Sequence, residues 1–557
     1  MAKRAQVYPQ AEPGAGGLVN AVVVRVPART LVSEALALAR RREAGLVATG
    51  EGQVVLRQDL SRAVGLGLDR LAAEELVRTL PVVSSSEPEV GVRRLLAAGA
   101  AAVVVRERRQ LVGAVMSTPG GVATRVPVGR RFRDRLTEDA RGALDTLTRL
   151  AADAGVRAFL VGGTVRDALL ARSALRDLDI VVEGDGPALA RTFLAARGGA
   201  IVEHARFLTA SVMSGGLGRI DFATARSERY ERPGALPRVM PSTITQDLGR
   251  RDFTVNALAV ELAADGWDLL DPYGGRGDLA DRRLRVLHPL SFVEDPTRIF
   301  RAARYATRLG LTLDAWTVRA QARALRLGPY GALSGQRLVA ELELILGEEQ
   351  PAEILRRLGG AGSFRLFDPR YRFSRRTAAH VAALPEALRW SRQRRLPIAP
   401  LELTVLALVA DQGREVASSA LTRLAFSGEP LARLVRALDA LPEVTGRLTP
   451  TGRPSERARP LWDRSDVELA GLWLTGTVGV RSTIDWFLSH ARDARPALNG
   501  DAVVALGVPR SAEVARVLSD LRDARLDGVV TDREGEVAYV EDWIKKGGMA
   551  WLPSTSS

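Results

Sequence analysis

Between residues 18 and 120 the chain alternates short β-branched runs with amphipathic stretches, and it does so twice. Val22-Val23-Val24-Arg25-Val26-Pro27 reads as a strand, 31–42 as a helix, Gly45-Leu46-Val47-Ala48 as a second strand and 54–60 as a third. The second copy runs through Leu80-Pro81-Val82-Val83, a helix near 90–98, a strand over 101–105 and another over 111–116. A repeat of about 50 residues predicts two copies of one α/β unit packed together. Residues 130–139 are polar and charged and read as a linker. The helix expected after them places Leu144, Leu147, Leu150 and Ala151 on one face. Strands and helices alternate from Ala158 to about Val260, which predicts a mixed α/β domain. From Pro296 to about Trp486, Leu, Ala and Arg recur at helical spacing. Residues 449–460, rich in Pro, Gly and Arg, break that region, and 501–540 return to helices with a short hairpin expected.

Composition narrows the class. A chain of 557 residues is too long for one core, and roughly three to four domains are expected. With 46% hydrophobic and 26% charged residues, it reads as ordinary globular protein rather than a disordered or collagen-like chain. No run of 18 apolar residues exists, so no transmembrane helix is expected. Met1-Ala2-Lys3-Arg4-Ala5-Gln6 leads into Pro and Gly rather than an apolar stretch, which argues against a secretory signal. Residues 1–17 are expected to form a mobile tail. The absence of cysteine excludes disulfides, thiolate zinc sites and cysteine nucleophiles, and makes the cytoplasm the simplest compartment. The net charge is +14, and Lys3, Lys545 and Lys546 are the only lysines. An arginine-borne excess of this size favours a polyanionic partner such as nucleic acid. A GC-rich coding bias would explain Arg over Lys but not the positive sign.

Two local patterns carry chemistry. In Phe159-Leu160-Val161-Gly162-Gly163-Thr164-Val165-Arg166-Asp167 an apolar strand runs into a glycine pair and then a helix. Glycines let backbone amides approach a phosphate, the helix start adds partial positive charge, and Arg166 adds a charged fork. In Arg176-Asp177-Leu178-Asp179-Ile180-Val181-Val182 the strand spacing puts Asp177 and Asp179 on one face, with Leu178 and Ile180 turned to the core. Two neighbouring carboxylates repel unless a cation lies between them, and Mg2+ takes carboxylate and phosphate oxygens. A third carboxylate is expected from Asp221, in the later strand Arg219-Ile220-Asp221-Phe222-Ala223. Taken singly, the glycine pair is also compatible with an ordinary turn, and Asp-x-Asp with a solvated strand edge.

The N-terminal repeats loosely resemble a tandem pair of CBS domains. In that family an adenine nucleotide often sits between the repeats, held by an Asp after the last strand. Asp59 in Arg57-Gln58-Asp59 matches that position, whereas the second repeat has Met116-Ser117-Thr118 there. Nucleotide sensing therefore ranks below a structural or dimerising role. The central region resembles the nucleotidyltransferase superfamily, and within it the class II tRNA CCA-adding enzymes and bacterial poly(A) polymerases. The match spans about 158–310. It rests on 160–167, Asp177-Leu178-Asp179, Arg250-Arg251-Asp252-Phe253-Thr254-Val255-Asn256-Ala257-Leu258-Ala259 and Asp271-Pro272-Tyr273-Gly274-Gly275. It continues through Asp278-Leu279, Leu284-Arg285, Glu294-Asp295-Pro296-Thr297-Arg298 and Arg301-Ala302-Ala303-Arg304.

The resemblance implies that Gly162, Gly163, Arg166 and Asp167 hold the triphosphate. It implies that Asp177 and Asp179 carry Mg2+ with Asp221 as third catalytic acid, and that Arg251, Asp252 and Asn256 bind sugar and phosphate. The local alternative for Asp252 and Asn256 is turn capping. Asp295 before Pro296 is also a good helix start. Yet Arg298 in the first turn opposes the helix dipole, and 296–313 hold four arginines, Arg298, Arg301, Arg304 and Arg308, and no acid. The arginines flank an apolar face of Ile299, Ala302, Ala306 and Leu309. In the family Asp295 and Arg298 serve as a protein template for the incoming base, with Arg301 and Arg304 beside them. Cytosine and adenine both show an amino donor beside a ring-nitrogen acceptor, which a carboxylate and a guanidinium match, whereas guanine and uracil leave both unpaired.

The segment Ser227-Glu228-Arg229-Tyr230-Glu231-Arg232-Pro233-Gly234-Ala235-Leu236-Pro237 matches a flexible loop that the family needs for adding the final A, which disfavours CC-only addition. Leu333-Ser334-Gly335-Gln336-Arg337 resembles the family's helical body, and 500–508 with Leu526-Asp527-Gly528 resembles its tRNA-holding tail. His204, His288, His380 and His490 are none of them followed by Asp, so the phosphohydrolase some members carry is not expected and these histidines read as structural or surface residues.

The expected architecture is an α/β CBS pair over 18–120, an α+β polymerase-β-like nucleotidyltransferase head over 135–262, a neck for base recognition over 263–330 and a mostly α-helical body and tail over 331–557. The expected function is template-independent addition of CCA, or of the terminal A alone, to the 3′ end of tRNA from CTP and ATP. The expected partners are the tRNA 3′ end and acceptor arm, with no membrane. An adenine nucleotide at the CBS pair and a homodimer stay open. The alternatives are a bacterial poly(A) polymerase and a non-catalytic nucleotide-sensing RNA-binding protein.

Overall fold

The β-branched runs of the N-terminal repeats form strands that share one core. A computed structural model describes residues 14–50, 53–108, 110–116, 125–128, 130–171, 178–214, 218–448 and 451–547. The first repeat comprises β1 (Val23–Arg25), α1 (Val32–Arg41), β2 (Leu46–Gly50), β3 (Gln53–Leu56), α2 (Arg57–Gly65) and the short β4 (Arg78–Thr79). The second comprises β5 (Val82–Ser84), α3 (Glu89–Ala97), β6 (Ala102–Glu107) and β7 (Gln110–Met116). Each repeat has a parallel pair joined through a helix, β1·β2 and β5·β6, followed by an antiparallel pair, β2·β3 and β6·β7. Leu46, Ala48, Val54 and Leu56 of the first pack with Leu80, Ala102, Val104 and Ala114 around the second. Complete burial of a leucine such as Leu46 or Leu56 is worth about 1.5–3 kcal/mol relative to exposure.

Two expectations here are corrected. The strand predicted over 54–60 stops at Leu56, and Arg57 opens α2, because Leu56, Leu60 and Ala63 follow helical spacing and are all buried. The predicted tail lies outside the described residues up to residue 13. Its last part is folded: Ala15–Leu18 form a 3-10 turn with Ala15 fully buried, and Gly16 N donates to Ser85 O at 2.9 Å.

After β8 (Arg125–Pro127) comes α4 (Arg130–Arg133), in the segment read as a linker. Phe132 and Leu136 anchor that charged stretch in the core. Thr137 caps α5 (Glu138–Asp153), accepting from Ala140 N at 3.2 Å. There follow β9 (Arg157–Val161), α6 (Gly163–Leu169), β10 (Leu178–Glu183), α7 (Gly186–Arg197), β11 (Ala200–His204), β12 (Thr209–Ser214), β13 (Gly218–Thr224), β14 (Arg226–Arg229), β15 (Arg238–Pro241), α8 (Ile244–Gly249), β16 (Ala259–Ala263) and β17 (Gly266–Leu270). Eight strands make one sheet in the order β11-β12-β13-β10-β9-β16-β17-β8, and β10·β13 is its parallel pair. α7 packs on β12 and β13, and α5 on β9 and β16.

The connecting segment holds α9 (Gly275–Ala280), β18 (Arg283–Leu284), α10 (Ser291–Glu294), α11 (Arg298–Leu309), β19 (Thr312–Leu313) and α12 (Ala315–Leu327). Residues 1–337 form one compact unit and 338–557 a second, with α13 (Gly335–Leu346) running across the boundary. In the second unit, described by itself, Trp390 and Trp473 stack at 4.7 Å, and Asp485 accepts from Trp390 Nε1 at 2.6 Å. The proline-rich break over 449–460 contains the helix Pro454–Ala458, because proline at a first helical position starts a helix rather than breaking it. The hairpin expected over 501–540 is replaced by the helices Gly500–Ala505, Ala512–Leu526 and Arg533–Lys545. Ser511 and Asp532 are the N-caps of the last two. Among the described residues no helix is long and apolar enough to cross a membrane.

Candidate active site

β9 delivers the chain to Gly162, whose φ of 67° and ψ of −128° suit glycine. α6 begins at the next residue. A Cβ on Gly162 would lie 2.8 Å from Arg251 Nη1 and 3.9 Å from Asp179 Oδ2, so a guanidinium and a carboxylate converge on this turn. On β10, Leu178 and Ile180 are buried while Asp179 is exposed, which is the alternation expected of a strand with one wet face. The parallel register pairs Asp179 with Asp221 of β13. Residues paired across a parallel register share a face, so the two carboxylates stand side by side. Asp221 also accepts from Ser211 Oγ and, at 2.8 Å, from Arg219 Nε. Asp177 lies outside the described residues. Among those residues no group of three His, Cys, Asp or Glu side chains that could hold a metal is present. Asp179 and Asp221 are oxygen donors of the type a hard divalent cation takes.

Arg166 is buried and is engaged by protein groups on three of its nitrogens. Nε and Nη2 donate to the two oxygens of Asp167 at 2.8 and 3.0 Å, and Nη1 to Asn256 Oδ1 at 2.6 Å. Asn256 Nδ2 donates to Asp252 Oδ1 at 2.9 Å, which also accepts from Phe253 N. The turn-capping role weighed for Asp252 is therefore present together with the network role. Arg301 Nη1 stands 3.8 Å from Asp252 Oδ2. The sequence reading missed Tyr305, whose ring faces three guanidinium groups: Arg308 at 5.1 Å, Arg166 at 5.5 Å and Arg304 at 5.8 Å.

It also missed Asp247. This fully buried carboxylate on α8 accepts from Arg250 Nη2 at 2.7 Å and from Arg251 Nη2 at 3.1 Å. Burial alone would raise its pKa, but Arg251 and Arg250 outweigh burial and hold it below the usual carboxylate range. Its spacing of three and four residues from the two arginines was the available signal.

Asp295 and Arg298 are both buried. Asp295 is extended rather than the helix N-cap expected; Thr297 takes that position in α11. Asp295 Oδ1 accepts from Thr297 N at 3.0 Å, from Thr297 Oγ1 at 2.6 Å and from Arg337 Nη2 at 2.7 Å. Burial works against its charge, yet Arg298 and Arg337 keep its pKa low. Arg298 donates to Ser291 Oγ and to Arg250 O, each at 2.8 Å. The arginine pair at 250 and 251 thus links the Gly162 turn to the Asp295–Arg298 pair through Asp247. Residues 227–237 lie largely between β14 and β15, which pair as a hairpin. Gly234 N donates to Val293 O at 3.1 Å and Glu294 O at 3.2 Å, and Gly234 O accepts from Arg337 Nη1 at 2.7 Å.

The poly A polymerase head domain family matches residues 158–285, from within β9 to just past β18. A CC-adding tRNA nucleotidyltransferase of Deinococcus radiodurans is 34% identical, over 74% of this chain and 95% of its own length. An A-adding tRNA nucleotidyltransferase of Geobacter sulfurreducens is 29% identical over 94% of this chain. The chain spans 64% of the length of that relative and 24% of the A-adding enzyme of Aquifex aeolicus, with which it is 43% identical. The solved structure of a CCA-adding enzyme in an apo form superposes with a TM-score of 0.66 at 27% identity, covering 75% of this chain and 98% of the other. A CCA-adding enzyme in complex with CTP gives 0.65 at 25% identity, covering 77% and 100%.

Proposed function

The chain belongs to the tRNA nucleotidyltransferase family, and from that membership we propose that it adds A, alone or as the last base of CCA, to the 3′ end of tRNA. The observation that carries this reading is the register of Asp179 with Asp221 beside the Gly162 turn. The terminal ribose hydroxyl of the tRNA attacks the α-phosphate of ATP or CTP, its proton is lost, and pyrophosphate leaves. Asp179, Asp221 and Asp177 would hold the divalent metal, with Mg2+ the natural choice for oxygen donors. When bound, the metal lowers the hydroxyl pKa and neutralises charge on the leaving group. The amides of Gly162 and Gly163, with Arg166 and Arg251, bind the triphosphate; Asp167 orients Arg166; Asp252 and Asn256 fix the network against which the sugar sits. Asp295 accepts from the base amino group and Arg298 donates to the ring nitrogen, so C and A are accepted and G and U refused. Arg301 and Arg304 extend the positive wall.

We read the N-terminal repeats as a CBS-like pair. Asp59 is buried and held by Arg78 through bonds of 2.7 and 2.9 Å, which favours a structural over a nucleotide-holding role. The helical second unit would hold the tRNA acceptor arm by shape and phosphate contacts, in the cytoplasm. The test is incorporation of labelled ATP and CTP into tRNA ending in CC or lacking CCA: addition ending on a single A supports the proposal, and a long A tract would favour a poly(A) polymerase. Failure of any incorporation, with tRNA binding retained, would favour a non-catalytic RNA binder.

A further inference from the structure

Glu294 precedes the base-reading Asp295, yet its own carboxylate is turned to other partners. It is 6% exposed and held from two sides. Arg62 Nε, on α2 of the N-terminal repeat, lies 3.2 Å from Oε1, and His288 Nε2 lies 3.2 Å from Oε2 without hydrogen-bond alignment. The Glu294 backbone carbonyl accepts from Gly234 N, and Gly234 O accepts from Arg337, whose other nitrogen donates to Asp295. One side chain of the N-terminal repeat thus reaches, through Glu294, a closed ring of contacts around the base-reading carboxylate.

Other contacts hold α2 and its neighbours against the same segment. Arg78, locked by Asp59, donates to Leu287 O at 3.2 Å. Glu75 pairs with Arg326 at 2.6 Å and Arg323 at 3.4 Å, and Arg323 Nη1 donates to Pro289 O at 2.9 Å. A Cβ on Gly99 would clash with the Tyr273 carbonyl, so backbone of the second repeat lies directly on the connecting segment.

We propose that Arg62 is a positioning residue for base selection: by holding the Glu294 carboxylate it fixes the end of α10 from which Asp295 is presented, so that the N-terminal repeat takes part in choosing the incoming nucleotide. The inference rests on the base-reading role given above to Asp295 and Arg298. Without Arg62 the buried carboxylate loses its salt-bridge partner and keeps the His288 imidazole and the charge of Arg298, and a buried charge compensated less well forces its surroundings to rearrange. A small displacement of Asp295 then weakens the hydrogen bonds that distinguish A and C from U, which are the contacts most sensitive to geometry.

The experiment uses the full chain with Arg62→Ala, Arg62→Lys and Glu294→Gln. KM and kcat are measured for ATP and CTP on tRNA ending in CC or lacking CCA, with UTP as the competing substrate. Expected for Arg62→Ala is a KM for the correct nucleotide raised about five- to tenfold and a matching rise in U incorporation, with kcat within about twofold. Arg62→Lys is expected to recover most of the loss, and Glu294→Gln, which keeps the volume, to reproduce the Arg62→Ala shift if the alanine variant folds poorly. Unchanged KM and unchanged U discrimination in both Arg62→Ala and Glu294→Gln overturn the inference, as does a fall in kcat at constant KM. A wild-type chain that adds no nucleotide rejects the proposed function instead, whereas loss of base discrimination in Asp295→Ala beside an unaffected Arg62→Ala rejects only the role of Arg62.

Discussion

Asp179 and Asp221 are register partners on the parallel strands β10 and β13, on the face where Asp179 Oδ2 approaches the Gly162 turn. Neighbouring carboxylates are costly without a cation between them. Replacing Asp179 or Asp221 by Asn is expected to cut nucleotide incorporation by about 100- to 1000-fold with little change in melting temperature. A chelator should stop the wild-type reaction and added Mg2+ restore it. Activity retained in Asp179→Asn would remove the basis for the metal assignment.

Asp295→Ala and Arg298→Ala each leave one half of a base-reading pair unmatched. KM for ATP and CTP should rise by about 10- to 100-fold, and U and G should enter the product. Steady-state kinetics with each of the four nucleotides checks this. A uniform fall in kcat with intact selectivity would show that the pair does not read the base.

Asp247 is fully buried and holds Arg250 and Arg251. Asp247→Ala leaves two cations without their shared partner, at an expected cost of about 3–5 kcal/mol. Because Arg251 then loses its hold beside Gly162, incorporation should fall more than stability does in Asp247→Asn, which keeps the volume. Thermal melting and nucleotide KM, measured together, separate the two effects.

His288 is pushed down to about 4 by burial first and Arg62 second, against the pull of Glu294. Unfolded, its imidazole takes a proton near 6.5, so between pH 6.5 and 4 the unfolded chain binds more protons than the folded one. Stability is therefore lost as pH falls through that window, by up to about 3 kcal/mol from this group. His288→Gln is expected to flatten the melting-temperature profile between those pH values. A profile as steep as that of the wild type would place the acid sensitivity elsewhere.

The strand–glycine–helix turn at 159–167, the alternation of Asp179 with Leu178 and Ile180, and the doubled α/β pattern at the N-terminus were legible because each is local. Asp221 was expected as a third acid, but the chain order that brings β13 beside β10 was not legible, since β11 and β12 intervene in sequence, and the sheet register puts Asp221 next to Asp179. Tyr305 could not be read as a hub, because its contact with Arg166 spans the distance between head and α11. Arg62 belongs to a repeat whose sequence gives no sign of reaching Glu294. Boundaries failed where one residue type serves two purposes: in the stretch where a short hairpin was expected, Ser511 and Asp532 cap helices, and Leu56 ends a strand while starting a helical apolar series.

The most direct measurement is the length and base identity of the product formed by the full chain from labelled ATP and CTP on tRNA truncated at each 3′ position. The expected result is a single A added to tRNA ending in CC, with synthesis stopping there. A tract of several A residues, or no incorporation on any of the truncated tRNAs, would contradict it.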